Sequence, residues 1–253
     1  MKDAEKHTET ILKRVKQHGC VLMLDFDGVL APIVPKPATA RMSKRTRRLL
    51  SLCARRGCVA VISGRALSDV RSRVGLAGIW YAGNHGAEWS MGRMRGREKP
   101  TRAAYAKLRE ARDAFIELSH RYSGVLVEDK QLTFSVHFRS LARSRTASFK
   151  SGVRRLHKKF GRFLNIAEGS EFVFNVRSRA GRTKGDAVRL ARRRADAKAV
   201  PIYIGDDTTD EDAFRVLPHG ITIRVGKRRG SAARFFVNGR DDVDTILEAL
   251  ALS

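Results

Sequence analysis

The chain has 253 residues, with 51 lysines and arginines against 26 aspartates and glutamates, giving a net charge of +25. This length allows one large or two modest hydrophobic cores, and no apolar run is long enough to span a bilayer. The three cysteines argue against a disulfide framework, and the charged start of the chain lacks a secretory leader. We therefore expect a cytoplasmic protein without a membrane partner.

The excess of basic residues suggests an anionic partner: nucleic acid, another polyanion or a phosphorylated substrate. Arginines occur along the whole chain, for example at Arg47–Arg48, Arg154–Arg155 and Arg192–Arg194, and no nucleic-acid-binding motif concentrates them. This pattern favours a solvated basic surface that binds nucleic acid only nonspecifically.

The first part of the chain alternates amphipathic helices with short apolar strands. Helices are predicted near 4–18 and 43–56, and strands near 20–26, 58–62 and 78–82. This alternation predicts an α/β fold with a doubly wound parallel sheet. Ligands of such sheets bind beyond the carboxyl ends of the strands.

The pattern changes at the Gly- and charge-rich stretch 94–100 and returns to α/β alternation from Lys184, ending in a helix near 241–251. Between these points, helices alternate with pairs of strands, which predicts an inserted, open-faced α+β domain. The predicted division is a first core segment at 1–96, the inserted domain at 97–181 and a second core segment at 182–253. The predicted elements of the inserted domain are helices near 101–121 and 142–160 and strands near 124–128, 131–138, 163–167 and 171–177.

Two carboxylates follow the first strand. Asp25 and Asp27 come directly after the apolar run Cys20–Leu24, and Gly28 permits a sharp turn of the chain. Like charges this close repel each other, and burial raises the pKa of at least one of them. A bound cation and a reacting group would explain the pair; a polar strand end that caps a loop is the alternative.

Three further polar clusters lie at strand ends or helix starts: Ser63–Arg65, Lys184–Gly185 and Gly205–Asp212. The order of aspartate pair, serine, lysine and acidic cluster resembles the haloacid dehalogenase (HAD) superfamily of phosphohydrolases. This resemblance implies a Rossmann-like core with the inserted domain as a C2-type cap.

The resemblance also implies roles for individual residues. Asp25 would be the nucleophile that forms an aspartyl-phosphate, and Asp27 would exchange protons with the leaving oxygen and the attacking water. Ser63 would donate a hydrogen bond to the phosphoryl group, although the same position suits an ordinary helix N-cap. Lys184 would place an ammonium beside the phosphate.

A magnesium ion completes the expected site, because hard oxygen ligands suit it. By the family pattern its ligands are Asp25, the backbone carbonyl of Asp27, and Asp206, with Asp207 as a supporting carboxylate. Asp210 would steady the loop, and helix capping is the favoured role of the two acidic residues after it, Glu211 and Asp212.

Several further segments form a more specific pattern. They are Leu24–Gly28, Leu30–Pro35, Ser63–Arg65, Gly83–Glu88, Val127–Lys130, His137–Arg139 and Gly205–Phe214. This pattern resembles the trehalose-6-phosphate phosphatase family. The resemblance implies a magnesium-dependent hydrolase that releases phosphate from trehalose 6-phosphate, in the same pathway as a trehalose-phosphate synthase.

The resemblance further suggests a set of substrate-binding residues. One of them, Asn175, stands where the family pattern has a glutamate, so a different sugar phosphate or phosphorylated glycoside is the first alternative substrate. A nucleic-acid-binding protein on a HAD fold is the more distant alternative. The candidate substrate-binding residues are Gly64, Arg65, Asn84, His85, Glu128, Lys130, His137, Arg139 and Asn175.

Overall fold

The computed structural model describes residues 1–169 and 172–252. The chain divides into two units, which we call the core unit (Met1–Arg97 with Arg182–Ser253) and the inserted unit (Glu98–Gly181). Each unit has its own cluster of buried apolar side chains. Within the described residues the strands are β1 Lys2–Asp3, β2 Cys20–Leu24, β3 Cys58–Ile62, β4 Trp80–Gly83, β5 Glu88–Met91, β6 Met94–Arg97, β7 Leu126–Asp129, β8 Thr133–His137, β9 Leu164–Glu168, β10 Val173–Ser178, β11 Val200–Gly205, β12 Ile221–Val225 and β13 Phe235–Val237.

Both units contain α-helices. None of those described is both long and apolar enough to cross a lipid bilayer. Their bounds are α1 Thr8–His18, α2 Lys44–Arg56, α3 Leu67–Val74, α4 Arg102–Ser119, α5 Arg143–Phe160, α6 Lys184–Arg194, α7 Glu211–Arg215 and α8 Arg240–Leu252.

The core unit is built on a sheet in which, among the described residues, the strand order is β1-β13-β12-β11-β2-β3-β4-β5-β6. The strands from β1 to β4 in that order are parallel, and β5 and β6 are antiparallel. The predicted α/β class is confirmed. Since the carboxyl ends of parallel strands meet at one edge, the segments after β2, β3, β4, β11 and β12 all lie there.

The central strands are apolar along their whole length because both of their faces are buried. In β2, Leu22 and Leu24 enter one apolar cluster, whereas Val21 and Met23 enter the cluster on the other side of the sheet. A continuous apolar run of this kind is typical of a parallel strand between two layers of helices. The burial leaves the polar residues after each strand as the first ones able to meet a ligand.

The sequence prediction missed the hairpin formed by β5 and β6. The stretch 94–100 was described by its glycine and charge content, but Met94–Arg97 pairs with Glu88–Met91 and turns at Gly92, where φ is 63°. Strand β6 is short and charged, and it lies at the edge of the sheet, where an apolar pattern is not required.

The inserted unit contains an antiparallel sheet of order β7-β8-β10-β9, as far as its described residues show. Phe134 and Phe174 lie on one face, in an apolar cluster with residues of α4 and α5. The register sets Asn175 opposite Ser135 on the other, polar face. The predicted strand 171–177 corresponds to β10, and its first residue lies outside the described residues.

Candidate active site

Asp25 is the first residue after β2, and its carboxylate is held in the interior of the core unit. Lys184 Nζ donates to Oδ2 at 2.6 Å, and the Phe26 backbone N–H donates to Oδ1 at 2.6 Å. Burial raises the pKa of Asp25 to about 7, although the Lys184 ammonium opposes this rise. The carboxylate therefore has one defined orientation, and further positive charge would stabilise its ionised form.

Lys184 opens α6 and is almost fully buried, at 2% exposed. Burial by itself would lower its pKa, but the carboxylates of Asp210 and Asp25 raise it, so the ammonium stays charged. The sequence order did place a lysine at a helix start. The structure brings it to a carboxylate 159 residues away.

Asp210 is fully buried and accepts hydrogen bonds from four donors. Its Oδ1 accepts hydrogen bonds from Lys184 Nζ at 2.8 Å and from the Tyr203 hydroxyl at 2.6 Å. Its Oδ2 receives the backbone N–H groups of Asp206 at 3.1 Å and Asp207 at 2.9 Å. Because both of its oxygens are used in this way, Asp210 organises the loop and is a poor candidate for a cation ligand.

Asp25, Asp206 and Asp210 each place one carboxylate oxygen within 4.8 Å of the others. Burial raises the pKa of Asp206 well above its usual range, and the charges of Asp25 and Asp210 add to this rise. A Cβ at Gly28 would lie 2.1 Å from Asp206 Oδ2, so only glycine lets this carboxylate approach the segment after β2. These oxygens fit a hard divalent cation such as Mg²⁺, with Asp25 and Asp206 as the carboxylates that would hold it.

The other two predicted metal residues have different partners for their side chains. Asp207 caps the short 3-10 turn that follows it. Both carboxylate oxygens of Asp27 accept hydrogen bonds from the guanidinium of Arg65. Of the four predicted metal residues, the structure thus groups the carboxylates of Asp25 and Asp206. Ligation by the backbone carbonyl of Asp27 stays a prediction.

Arg65, predicted to contact substrate, lies 6% exposed between two carboxylates. Its Nε and Nη2 donate to Asp27 at 2.7 Å each, and its Nη1 donates to Asp69 at 2.9 Å. Burial by itself would lower the pKa of Arg65, but the hydrogen bonds and charges of Asp27 and Asp69 raise it. The guanidinium therefore links the segment after β2 to α3.

Ser63 follows β3 and is buried. Its Oγ accepts the backbone N–H of Arg65 at 3.1 Å. It is not the N-cap of the next helix, because α3 begins at Leu67 and Ala66 is its capping residue. With its oxygen engaged as an acceptor, the hydroxyl can donate its proton to a ligand oxygen.

Backbone hydrogen bonds join the loop after β4 to the segment Ser63–Arg65. The backbone N–H groups of Asn84 and His85 donate to the carbonyls of Arg65 at 2.7 Å and Ser63 at 3.0 Å. The His85 ring packs on Gly64, where a Cβ would lie 2.5 Å from it. Both loop residues have positive φ, 49° and 55°, a conformation that costs energy outside glycine and often marks a functional site.

The remaining predicted substrate residues belong to the polar face of the inserted unit. Lys130 Nζ donates to Ser135 Oγ at 2.7 Å, and Ser135 Oγ donates to Asn175 Oδ1 at 2.9 Å. His137 Nε2 and Glu128 Oε2 are 2.9 Å apart. His137 therefore shares the face of Glu128. The fifth residue, Arg139, lies half-buried beyond the end of β8.

Sequence reasoning missed Tyr203 and Arg224, which shape the acidic loop Gly205–Asp212, and gave Glu211 a different role. Tyr203 donates to Asp210, and Arg224 donates to the carbonyls of Asp206 and Asp207. Glu211 was interpreted as a helix cap, but it is buried and pairs with Arg224 at 3.2 Å. A lone arginine in the apolar strand Ile221–Val225 was the available signal, since a buried charge needs a partner.

Comparison with known proteins gives consistent matches over most of the chain. The family model described as Trehalose-phosphatase matches residues 23–240. The trehalose-phosphate phosphatase of Mycobacterium tuberculosis (strain H37Rv) is 36% identical over 242 residues, which cover 91% of this chain and 61% of the relative. The chain thus spans less than two thirds of the length of this curated relative.

Solved structures support the fold. The C-terminal domain of trehalose-6-phosphate phosphatase from C. albicans superposes with a TM-score of 0.85 at 20% identity, covering 96% of each chain. A sugar phosphatase of HAD subclass IIB gives a TM-score of 0.56 at 15% identity, covering 90% of this chain and 96% of the other. At these identities the likeness concerns the fold, and the predicted HAD-type architecture is confirmed.

Proposed function

Because this chain belongs to the trehalose-phosphatase family, we propose that it hydrolyses trehalose 6-phosphate to trehalose and phosphate. One observation carries the proposal: Asp25, Lys184 and Asp206, far apart in the sequence, meet at the carboxyl edge of the core sheet. A nucleophile, a fixed positive charge and a cation site are what phosphoryl transfer requires.

In the first step, a carboxylate oxygen of Asp25 attacks phosphorus, and the bond from phosphorus to the sugar oxygen breaks. Asp27 gives a proton to the departing oxygen, so the sugar leaves as an alcohol. Lys184 and the Ser63 hydroxyl stabilise the phosphoryl oxygens as charge builds up on them.

In the second step, water attacks the phosphorus of the aspartyl-phosphate. Asp27 takes a proton from this water, and the bond from phosphorus to the Asp25 oxygen breaks, which returns the carboxylate and releases phosphate. Arg65 holds both oxygens of Asp27, so this acid–base group has a defined orientation.

A divalent cation, Mg²⁺ by the chemistry of the oxygen ligands, would be held by Asp25 and Asp206. When bound, it supplies positive charge that offsets the repulsion between the nucleophile and the phosphate. The raised pKa values of both carboxylates support this assignment, because they indicate a cluster of negative charge with too little compensation from the protein alone.

A different sugar phosphate is the second candidate substrate, and one observation on the inserted unit favours it. Lysine has no acceptor, so Ser135 Oγ must accept from Lys130 and give its own proton to Asn175 Oδ1. The Asn175 amide then offers N–H donors to a ligand, whereas the glutamate of the family pattern would offer an acceptor. A site that hydrogen-bonds particular hydroxyls discriminates strongly, so this change can redirect specificity.

A panel of sugar phosphates, assayed for phosphate release with and without magnesium, tests the proposal. Trehalose 6-phosphate should give the highest kcat/KM, and EDTA should abolish the activity until magnesium is restored. Preference for another sugar phosphate would select the second candidate, whereas absence of phosphate release from every substrate would refute both. A synthase that makes trehalose 6-phosphate is the proposed supplier of the substrate.

A further inference from the structure

Arg224 is a buried arginine that the proposed mechanism does not use. It lies in β12 between apolar residues and is 4% exposed. Removing a guanidinium from water is costly unless hydrogen bonds and an opposite charge compensate it. Its contacts are therefore informative about why the chain carries an arginine in this strand.

The guanidinium holds two successive carbonyl groups of the acidic loop. Nη2 donates to the carbonyl of Asp206 at 2.5 Å, and Nη1 donates to the carbonyl of Asp207 at 3.0 Å. Arginine's planar fork suits such a two-point contact, which a lysine cannot reproduce. The contact restrains the main chain from which the Asp206 carboxylate projects.

Asp210 holds the same two residues from the other side. Its Oδ2 accepts the backbone N–H groups of Asp206 and Asp207 at 3.1 and 2.9 Å. The main chain of both residues is thus fixed at its N–H groups by a carboxylate and at its carbonyls by a guanidinium. The carboxylate oxygens of Asp25 and Asp206 lie within 4.8 Å of each other, so restraint of the main chain on both sides keeps the Asp206 carboxylate in place.

Glu211 in turn holds Arg224. Its Oε1 accepts from Arg224 Nη1 at 3.2 Å and from the Ser231 hydroxyl at 2.8 Å, while its Oε2 accepts the Ala232 backbone N–H at 2.8 Å. The ion pair neutralises the buried guanidinium and ties it to the loop after β12. Arg224 is therefore anchored independently of the carbonyls that it holds.

We propose that Arg224, anchored by Glu211, is a positioning residue for the cation site and sets its affinity through the main chain of Asp206 and Asp207. This inference rests on the proposed function, because it presumes the cation site. Groups that orient metal ligands in this indirect way typically change metal affinity by about 10- to 100-fold when they are removed.

The test uses the full chain and measures Mg²⁺ binding by calorimetry without substrate, together with the Mg²⁺ dependence of phosphate release. Arg224→Lys should weaken Mg²⁺ binding by about 10-fold or more, and higher Mg²⁺ should restore most of the lost rate. A purely structural role would lower the melting temperature without this separation of Mg²⁺ affinity from kcat.

Arg192 provides the matched control, because its Nη1 also reaches two main-chain carbonyls, of Ala197 and Ala199, at the opposite edge of the sheet. Arg192→Lys should leave Mg²⁺ affinity unchanged. If Arg224→Lys does not fold, the double variant Arg224→Met with Glu211→Gln removes both buried charges together and should show the same weakening.

Wild-type Mg²⁺ affinity in either folded Arg224 variant would overturn the inference, as would absence of Mg²⁺ binding by the wild type. The failure of the proposed function is separate: a wild-type chain that binds Mg²⁺ but hydrolyses no sugar phosphate refutes that function. In that case the calorimetric comparison still decides the role of Arg224.

Discussion

Asp27 and Arg65, 38 residues apart in the chain, are joined by two hydrogen bonds of 2.7 Å each, from Nε and Nη2 to the two carboxylate oxygens. Arg65 is itself held by Asp69 and by the carbonyl of Pro37, and it lies over the Phe26 ring. The orientation of the proposed acid–base group is thus set from the neighbouring strand end.

Arg65→Lys is expected to lower kcat by about 10- to 100-fold, because an ammonium cannot hold both oxygens of Asp27. Mg²⁺ affinity, measured by calorimetry, should stay at the wild-type value since Asp25 and Asp206 keep their contacts. Arg73→Lys is the matched control, because Arg73 donates to Asp69 but not to Asp27. Wild-type kcat in Arg65→Lys would contradict the positioning role.

The ion pairs of Asp69 predict a pH dependence of stability. Burial by itself would raise the pKa of Asp69, but hydrogen bonds from Arg73 and Arg65 lower it below its usual value of 3.8. A lowered folded-state pKa stabilises the protein above the unfolded pKa, and this stabilisation is lost as the pH falls through the folded pKa.

At pH 7, Asp69→Asn should therefore reduce the free energy of unfolding by an amount on the order of 1 kcal/mol, since the carboxylate is 35% exposed and partly screened. Denaturant titrations from pH 7 to pH 3 should show this difference shrinking below about pH 4. Asp212→Asn, which removes a pair with one exposed arginine, should change stability less. A difference that stays constant with pH would count against the ion-pair explanation.

Gly28→Ala is expected to disrupt the cation site. The added Cβ would lie 2.1 Å from Asp206 Oδ2, and φ at this position is +73°. Mg²⁺ binding and phosphate release should each fall by about 100-fold or more, since a small displacement of a catalytic group has effects of this size.

Gly226→Ala separates the clash from the backbone cost. Gly226 has a similar φ of +77° but no atom within 4 Å of its Cβ position. Gly226→Ala should lower the free energy of unfolding by about 1 kcal/mol and leave the Mg²⁺ affinity unchanged. Equal losses of Mg²⁺ binding in the two variants would show that the contact with Asp206 is not the cause.

Asp25→Asn should abolish turnover, because an amide oxygen is too weak a nucleophile to attack phosphorus. The fold should persist, since the amide oxygen can still accept from Lys184 and the change relieves repulsion with Asp206 and Asp210. Phosphate release and circular dichroism would be measured together, with Asp241→Asn, an exposed carboxylate, as control. Undiminished phosphate release would exclude Asp25 as the nucleophile.

Asn175→Glu should shift substrate preference toward trehalose 6-phosphate, because it replaces the presented amide donor by an acceptor. The ratio of kcat/KM for trehalose 6-phosphate to that for the best alternative sugar phosphate is the measurement. Asn165→Glu adds the same charge near Arg177 on the same sheet face and should leave this ratio unchanged. An unchanged ratio in Asn175→Glu would mean that the side chain does not contact the sugar.

The order of apolar strands and polar strand ends was sufficient to predict the α/β core, because a parallel sheet between helices requires apolar runs and gathers their carboxyl ends. That rule alone placed Asp25, Ser63 and Asp206 at one edge. The β5–β6 hairpin escaped prediction because an edge strand of four residues can be polar. The roles of Asp25, Asp27, Ser63 and Lys184 in catalysis stay predictions.

The sequence by itself determined which chemical groups stand at the strand ends and the family to which the chain belongs. Only the tertiary structure decided which of them pair: Arg65 with Asp27, Lys184 with Asp25 and Asp210, and Arg224 with the carbonyls of the acidic loop. The physical reason is that strand and helix formation follow local periodicity, whereas ion pairs between distant residues depend on strand order, register and helix packing, which no short stretch of sequence specifies.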